Sequence, residues 1–306
     1  MMRILMLITV GLTLVGCRIE ETKEVEKIGP LHIVVTTGII KNTLDNIVQS
    51  HCEVTALMGP GTDPHIYKPT PGDVELLDEA DVIVANGLHL EGKMAEMLEK
   101  YGAEKPVIFV ADGLSEEDVI STADMDDAKD PHIWFDTKIW MKGMAYVTDE
   151  LGKIDSSIDS TIHLNYQEYK DEIKKLDKWV AESLDSLNDA SRVLVTSHDA
   201  FSYFGRRYKM KVKGIQGVST LSEVGLKEVS EMVDFLIDRK IKSIFTETST
   251  SDKTAQSIVE GCAAKGYQVA IKGPLYSDAL GEPDSDAGTY IGMIQANVRT
   301  IVEGLK

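Results

Sequence analysis

Cysteine, positive charge and long apolar runs are all scarce in this sequence of 306 residues. Only 3 cysteines occur, and no two form a Cys-x-x-Cys pair, so neither a thiolate zinc site nor a disulfide framework is supported. Lys and Arg number 32 against 50 Asp and Glu, which gives a formal net charge of −18. This balance argues against nucleic acid and anionic lipid surfaces as partners and favours cationic ligands.

Two of the cysteines, Cys52 and Cys262, lie far apart in the body of the chain. A disulfide between them would have to cross between the two lobes inferred below, so we expect both to be buried free thiols. After the N-terminus no apolar stretch approaches about 20 residues, so we expect the body of the protein to be soluble.

The N-terminus has the pattern of an export signal. Residues 1–16 form an apolar run with a single Arg, too short to span a membrane, which predicts a signal peptide. The run ends in Leu-Val-Gly-Cys17, which resembles a bacterial lipobox and implies that Cys17 is the lipidated N-terminus of the mature chain. An ordinary signal peptide with a chance cysteine is the alternative. Residues 17–29 are then a flexible, membrane-anchored tether outside the cytoplasm of a bacterial cell.

The body of the chain alternates strand and helix patterns in two series. The predicted strands of the first series cover 32–36, 53–58, 82–85 and 107–110, with helices over 39–49, 71–80 and 91–101 between them. The second series has strands over 193–196, 212–215, 243–246 and 268–271. Alternating strands and helices predict mainly parallel sheets flanked by helices. We therefore expect two α/β lobes, over 30–153 and 189–306.

The segment between the lobes predicts one long helix over 154–188. Apolar residues recur at helical spacing along it and form a stripe on one face: Ile158, Ile162, Tyr166, Tyr169, Ile173, Leu176, Val180, Leu184 and Leu187. A continuous helix of this length would span roughly 50 Å and could join the lobes as a stiff backbone. A coiled-coil dimer is the competing interpretation, but the stripe contains aromatics and no sustained leucine heptad. We therefore expect a monomer.

The tetrapeptide Asp-Pro-His-Ile occurs twice in the chain, which has seven histidines in all. The first copy ends in His65-Ile66 and the second in His132-Ile133. Each copy lies in a predicted loop, where proline restricts the backbone before the histidine. A metal ligand needs such rigid placement, because it must meet the ion with little conformational freedom left to lose. His65 and His132 are therefore candidate metal ligands.

Two further candidates follow predicted strands of the second lobe. His198 comes directly after the strand over 193–196, and Asp278 lies in a loop after the last strand. Ligands of open parallel sheets gather at the carboxyl ends of strands. The spacings between the four candidates are too long for a local metal-binding motif, so the residues alone make a shared three-His, one-Asp site only one of several possibilities.

Several longer segments resemble the TroA-like metal-binding solute-binding proteins of ABC transporters. They are GPGTDPHIYKPTPGDVELLDEADVIVANGLHLE, DPHIWFD, TSHDAFSYFGRRY, GIQGVSTLSE and LYSDALGE. The resemblance covers the chain from about residue 31 to its end. It implies two α/β lobes joined by a long helix, with one Zn²⁺ or Mn²⁺ ion as cargo in the cleft and no organic cofactor. Carried over by position, His65 and His132 would bind the ion from the first lobe, and His198 and Asp278 from the second.

Other histidines and carboxylates of the chain are not expected to bind the metal. Glu247 ends a strand of the second lobe, and we expect it to orient His198 or to close the cleft. His89 follows a strand of the first lobe and is the only rival candidate, but we do not expect it to bind the ion. The segment 115–130 is acidic and contains no histidine, unlike the His-rich loop of many zinc relatives. Some manganese-specific relatives have Glu at the position of His198, so the three-His set differs from that subgroup, but the missing His-rich loop leaves the identity of the metal open.

Three classes of function are compatible with a metal site in an exported protein. A receptor that delivers Zn²⁺ or Mn²⁺ to the permease and ATPase of an ABC importer is the preferred hypothesis. A zinc hydrolase would need an open coordination position and a general base, yet the sequence has no His-Glu-x-x-His motif. A surface adhesin is the third, and no sequence feature encodes a host-binding surface.

Overall fold

The structure is a computed structural model that describes residues 29–122 and 128–306. The predicted signal peptide, Cys17, the tether up to residue 28 and residues 123–127 of the acidic loop lie outside these ranges. The described chain contains two four-stranded sheets, and the neighbouring strands in each are parallel. The two-lobe α/β prediction is thus confirmed.

Both sheets have the same strand order. The N-terminal sheet consists of β1 (Leu31–Thr37), β2 (Cys52–Met58), β3 (Val82–Ala85) and β4 (Val107–Phe109), in the order β2-β1-β3-β4. The C-terminal sheet consists of β5 (Val193–His198), β6 (Lys211–Gln216), β7 (Ser243–Glu247) and β8 (Ala270–Leu275), in the order β6-β5-β7-β8. We call the two halves the N-terminal and C-terminal lobes.

The described ranges contain nine α-helices: α1 (Gly38–Val48), α2 (Pro71–Glu79), α3 (Ala95–Gly102), α4 (Thr137–Ile154), α5 (Asp159–Leu184), α6 (Ser202–Tyr208), α7 (Leu226–Arg239), α8 (Lys253–Ala264) and α9 (Tyr290–Leu305). Local sequence explains where several of them begin. Thr70 and Asp73 form a reciprocal capping box around Pro71 at the start of α2. The side chain of Asp136 caps α4 by accepting hydrogen bonds from two backbone N–H groups.

The helix that joins the lobes, α5, is shorter than the range of 154–188 predicted for it. It spans 26 residues, about 39 Å, and a turn separates it from α4. Asp155 explains the break, because its carboxylate accepts hydrogen bonds from the N–H (2.9 Å) and the hydroxyl (2.6 Å) of Ser157. Such local hydrogen bonds compete with helical ones.

The apolar stripe of the linker is buried within the chain. All nine of its residues, from Ile158 to Leu187, are buried. Helix α5 contacts α1 and α4 of the N-terminal lobe and α6 and α9 of the C-terminal lobe. The largest apolar core runs from the N-terminal lobe through α5 into the C-terminal lobe. The stripe therefore joins the lobes and is not left open for a coiled coil.

Two other boundaries differ from the predicted ones. Helix α3 begins at Ala95 and not at Glu91, because the Glu91 carboxylate is engaged in a turn that precedes the helix. Strand β8 continues past the predicted end at residue 271 to Leu275. It accommodates Pro274 as an edge strand, in which only one side is paired and proline is tolerated.

The two cysteines of the body, Cys52 and Cys262, are buried free thiols in the described structure, as predicted. Within residues 29–122 and 128–306, no helix combines the length and the apolar character needed to cross a membrane.

Candidate metal centre

The two Asp-Pro-His copies form matching turns in the N-terminal lobe. In the first, Asp63 Oδ1 accepts a hydrogen bond from the N–H of His65 at 2.9 Å. In the second, Asp130 Oδ1 accepts one from the N–H of His132, also at 2.9 Å. Proline restricts the backbone between the two partners in each turn. Both histidines are therefore held at the backbone.

The C-terminal lobe supplies two further side chains from the carboxyl ends of its strands. His198 is the last residue of β5, and Asp278 lies in the loop that follows β8. Glu247 is the last residue of β7, the strand next to β5. Since parallel strands end at one edge of their sheet, the fold brings these three residues together.

His65, His132, His198 and Asp278 converge between the lobes, with one candidate ligand atom from each within 4.8 Å of the others. Nε2 of His132 lies 3.3 Å from Nε2 of His65 and 3.2 Å from Nε2 of His198. The carboxylate of Asp278 lies 3.4 Å from Nε2 of His132 and 3.5 Å from Nε2 of His198. A tetrahedral site with bonds of about 2.0–2.1 Å has ligand atoms about 3.3 Å apart. The spacing fits one metal ion.

All four side chains are buried, and none is more than 1% exposed. Asp278 Oδ1 has no hydrogen-bond partner in the described parts of the chain. Buried polar atoms rarely stay unpaired. An oxygen in this state, beside three imidazole nitrogens, has the character of a cation ligand.

The electrostatics of the two N-terminal histidines differ. Burial lowers the pKa of His65 to about 3, so its ring is neutral at physiological pH. Burial also lowers the pKa of His132, but the carboxylates of Asp130 and Asp278 outweigh this effect and raise that pKa to about 9. In the metal-free protein His132 therefore holds a proton that a metal ion would replace.

His198 and Asp278 form an opposite-charge pair in the metal-free site. Burial lowers the pKa of His198, but the carboxylates of Glu247 and Asp278 raise it well above its ordinary value. Burial raises the pKa of Asp278, but the positive charges of His198 and His132 bring it well below its usual range. Protons on the histidines thus balance the carboxylates until a cation arrives.

Glu247 lies where an orienting residue is expected. Its Oε1 accepts a hydrogen bond from the N–H of His198 at 2.9 Å, and its Oε2 lies 2.5 Å from Nδ1 of the same ring. A carboxylate on Nδ1 fixes the ring so that Nε2 faces the cleft. Asp130 does the same for His132, whose Nδ1 lies 2.8 Å from Asp130 Oδ1.

Contacts between the lobes hold the ligand loops together. The indole N–H of Trp134, two residues after His132, donates to the backbone oxygen of Ser277 at 2.9 Å. The hydroxyl of Tyr203 donates to the backbone oxygen of Asp130 at 2.9 Å. Each contact joins a loop of the N-terminal lobe to the C-terminal lobe beside a candidate ligand.

The other histidines do not join the cluster. His32 hydrogen-bonds a threonine of β2, and His163 lies beside carboxylates of α4 and α5. His51 is exposed. His89 is also exposed and lines a cavity of about 890 Å³ that His65 borders. It therefore lies near the cleft but outside the four-residue cluster.

Four polar residues support the cluster but were not predicted from the sequence to do so: Asp63, Asp130, Thr220 and Ser249. Thr220 donates to Asp63 at 2.6 Å, and Ser249 donates to Asp278 Oδ2 at 3.1 Å. The repeated tetrapeptide contains both aspartates and could have pointed to them. The threonine and the serine lie in ordinary loop sequence and gave no signal.

Comparison of the sequence and the structure with known proteins identifies the family. The family model of ZnuA, described as the periplasmic component A of a zinc-uptake complex, matches residues 33–304. The chain belongs to this family. The TroA-like resemblance of the sequence is thereby confirmed, and the ZnuA family is one of transport receptors rather than of enzymes.

Two relatives, one named for manganese and one for zinc, are similar to this protein over nearly the whole chain. The manganese-binding lipoprotein MntA of Bacillus subtilis is 42% identical over 276 residues, 90% of each chain. The zinc-binding protein TroA of Treponema pallidum is 40% identical over 274 residues, 89% of this chain and 88% of TroA. The solved structure of that periplasmic zinc-binding TroA superposes with a TM-score of 0.87 and covers 90% of this chain and 99% of its own.

Proposed function

We propose that this ZnuA-family chain is the extracytoplasmic receptor of an ABC-type importer and that it binds one Zn²⁺ or Mn²⁺ ion as cargo. The observation that carries the proposal is the buried cluster of His65, His132, His198 and Asp278. Two of these side chains come from each lobe, so a bound ion is released only when the lobes or their ligand loops separate. That property suits delivery to a membrane permease.

The donor set supports transport rather than catalysis. We assign His65, His132, His198 and Asp278 as the four ligands, and Glu247 as the residue that orients His198. Catalytic zinc sites keep a position open for water or substrate. A set of four protein ligands closes that position. In the described structure no observation favours the hydrolase or the adhesin considered from the sequence.

Both Zn²⁺ and Mn²⁺ are candidate cargoes. Three imidazole nitrogens favour Zn²⁺ over Mn²⁺ in a simple competition for the site. The similar relatives MntA and TroA are named for manganese and for zinc. The metal carried in the cell is then set by supply as well as by affinity.

The receptor is proposed to work as a lipid-anchored monomer at the outer face of a bacterial membrane. The lipobox-like sequence before Cys17 supports lipidation, and similar relatives are named lipoproteins. Burial of the linker stripe inside the chain supports a monomer. The division into lobes over 30–153 and 189–306, joined by a helix within 154–188, is part of this proposal.

Metal analysis and uptake test the function together. Protein isolated from its native host is expected to contain about one Zn²⁺ or Mn²⁺ per chain. Cells with His132→Ala in place of the wild-type chain are expected to lose high-affinity uptake of the same ion. A metal-free protein from metal-replete cells, or unchanged uptake, would contradict the proposal.

A further inference from the structure

The turn between β3 and α3 has an unusual backbone. Three consecutive residues lie in the left-handed region, with φ of +86° at Gly87, +53° at Leu88 and +62° at His89. Glycine adopts this conformation readily, but Leu and His do so with strain. Strained residues persist only where surrounding contacts over-determine the structure, and they often occur at functional sites.

Glu91 provides such contacts. Its buried carboxylate accepts hydrogen bonds from the N–H of Asn86 at 2.8 Å and from the N–H of Gly87 at 3.3 Å. It also accepts one from the hydroxyl of Thr36 at 2.7 Å. Thr36 lies in β1, and Asn86 directly follows β3, so a single carboxylate fastens the strained turn to two neighbouring strands.

A buried carboxylate is an unfavourable way to stabilise an ordinary turn. Burial raises the pKa of Glu91, which reflects the unfavourable loss of water around its charge. Neutral turn residues could hold a simple connection without this penalty. The arrangement therefore suggests that the turn needs a fixed geometry.

The same turn contacts the backbone beside both N-terminal ligands. The side-chain N–H of Asn86 donates to the carbonyl of Pro131 at 2.9 Å, directly before His132. Gly92 lies against the loop of His65, since a Cβ built on this glycine would be 3.9 Å from the His65 carbonyl oxygen. The turn thus touches two loops that are far apart in sequence but meet at the cluster.

We propose that Glu91 is a positioning residue of the metal site, which acts through Asn86 and Pro131 to fix how His132 presents Nε2 to the ion. Glu91 lies outside the ligand cluster, so its effect on the metal passes through the side chain of Asn86 and the backbone of Pro131. This inference rests on the proposed metal-receptor function.

Glu91→Gln tests the inference with little change of shape. The new amide removes the charge, and with its oxygen kept toward Asn86 and Thr36 its N–H₂ group faces the N–H of Gly87, from which it cannot accept a hydrogen bond. Zn²⁺ affinity is expected to fall by about tenfold to a hundredfold, the range for residues that orient a ligand. The visible absorption of the Co²⁺-loaded protein is expected to change as well, because those bands report ligand geometry directly.

Asn86→Ala tests the hydrogen bond from Asn86 to Pro131, through which Glu91 is proposed to act. It also replaces Glu91→Gln if that variant fails to fold. It should produce a similar loss of affinity and a similar change in the Co²⁺ spectrum. The double variant should bind Zn²⁺ no more weakly than the more damaged single variant, because both substitutions break the same connection. Fully additive losses would overturn the inference.

Thr148→Ala is the matched control for a general loss of stability. Thr148 is buried in α4 and donates to the backbone oxygen of Met144, so its loss should lower the melting temperature without changing the Co²⁺ spectrum. If Glu91→Gln or Asn86→Ala lowers stability but leaves the spectrum and the affinity of the wild type, the positioning role is wrong. If the wild-type protein itself binds neither Zn²⁺ nor Co²⁺, the proposed function fails instead.

Discussion

Asp63 of the N-terminal lobe accepts a hydrogen bond from the hydroxyl of Thr220 of the C-terminal lobe, with 2.6 Å between the oxygen atoms. The other oxygen of the same carboxylate accepts the N–H of His65 at 2.9 Å. Burial raises the pKa of Asp63, and the hydrogen bond from Thr220 opposes that rise. One carboxylate therefore links a candidate ligand to the opposite lobe.

Loss of this link should speed metal release. Thr220→Val keeps the shape of the side chain but removes the hydroxyl, leaving a partly buried carboxylate without its donor. A hydrogen bond to a charged group contributes roughly 1.5–3 kcal/mol, so the dissociation rate of Zn²⁺ should rise roughly tenfold or more. Stopped-flow chelator competition measures this rate. Thr220→Ser should restore the wild-type rate, and equal rates in all three proteins would show that the contact does not hold the cleft closed.

The four proposed ligands should each be needed for tight binding. His65→Ala, His132→Ala, His198→Ala and Asp278→Ala remove one metal bond each and should weaken Zn²⁺ binding by at least about tenfold. His89→Ala is the matched control, because His89 borders the same cavity as His65 without joining the cluster. Calorimetry in which His89→Ala is as damaging as His198→Ala would contradict the assignment.

Metal binding should release protons. At pH 7 both His132, with a pKa of about 9, and His198, with a pKa well above its ordinary value, are protonated in the metal-free site. Only neutral imidazole binds a metal, so about two protons leave for each ion. Affinity then falls as the pH falls, by up to about a hundredfold per pH unit over the range in which both histidines are protonated in the metal-free site. Calorimetry in buffers of different ionisation enthalpy counts the protons, and a value near zero would mean that these histidines are not ligands.

The repeated Asp-Pro-His motif explains why half of the site was predictable from sequence. Each copy contains the aspartate that holds the histidine N–H, so the turn is encoded within three residues. His198 was predictable because it ends a strongly β-branched strand. Asp278 was indicated only by its loop after the last strand, and its assignment as the fourth ligand depended on the family resemblance.

The remaining features depend on contacts between distant segments. Nothing in the sequence around Thr220 predicts that its hydroxyl meets Asp63 across the cleft. Glu91 fits a helical pattern, and the sequence places it at the start of a helix that begins at Ala95 instead. Its role depends on Thr36 and Asn86, which only the folded chain brings to it. Asp155 similarly shortens the predicted linker helix through one local hydrogen-bonded turn.

Metal release should change the shape of the protein little. The linker helix α5 contains neither Pro nor Gly, and one continuous apolar core joins it to both lobes. A helix of this kind does not bend sharply. We expect the radius of gyration in solution scattering to stay nearly constant on metal removal. Hydrogen exchange should rise mainly within 198–208 and 273–286, while α5 stays protected. A large compaction on adding Zn²⁺, or loss of protection along α5, would contradict the rigid-linker account.

The four-ligand metal site is best tested by a crystal structure of the metal-loaded protein, with anomalous data collected on both sides of the Zn or Mn absorption edge. We expect one anomalous peak between the lobes, at about 2.0–2.2 Å from Nε2 of His65, His132 and His198 and from the carboxylate of Asp278. An ion bound elsewhere, or a peak that lacks any of these four ligands, would contradict the four-ligand site.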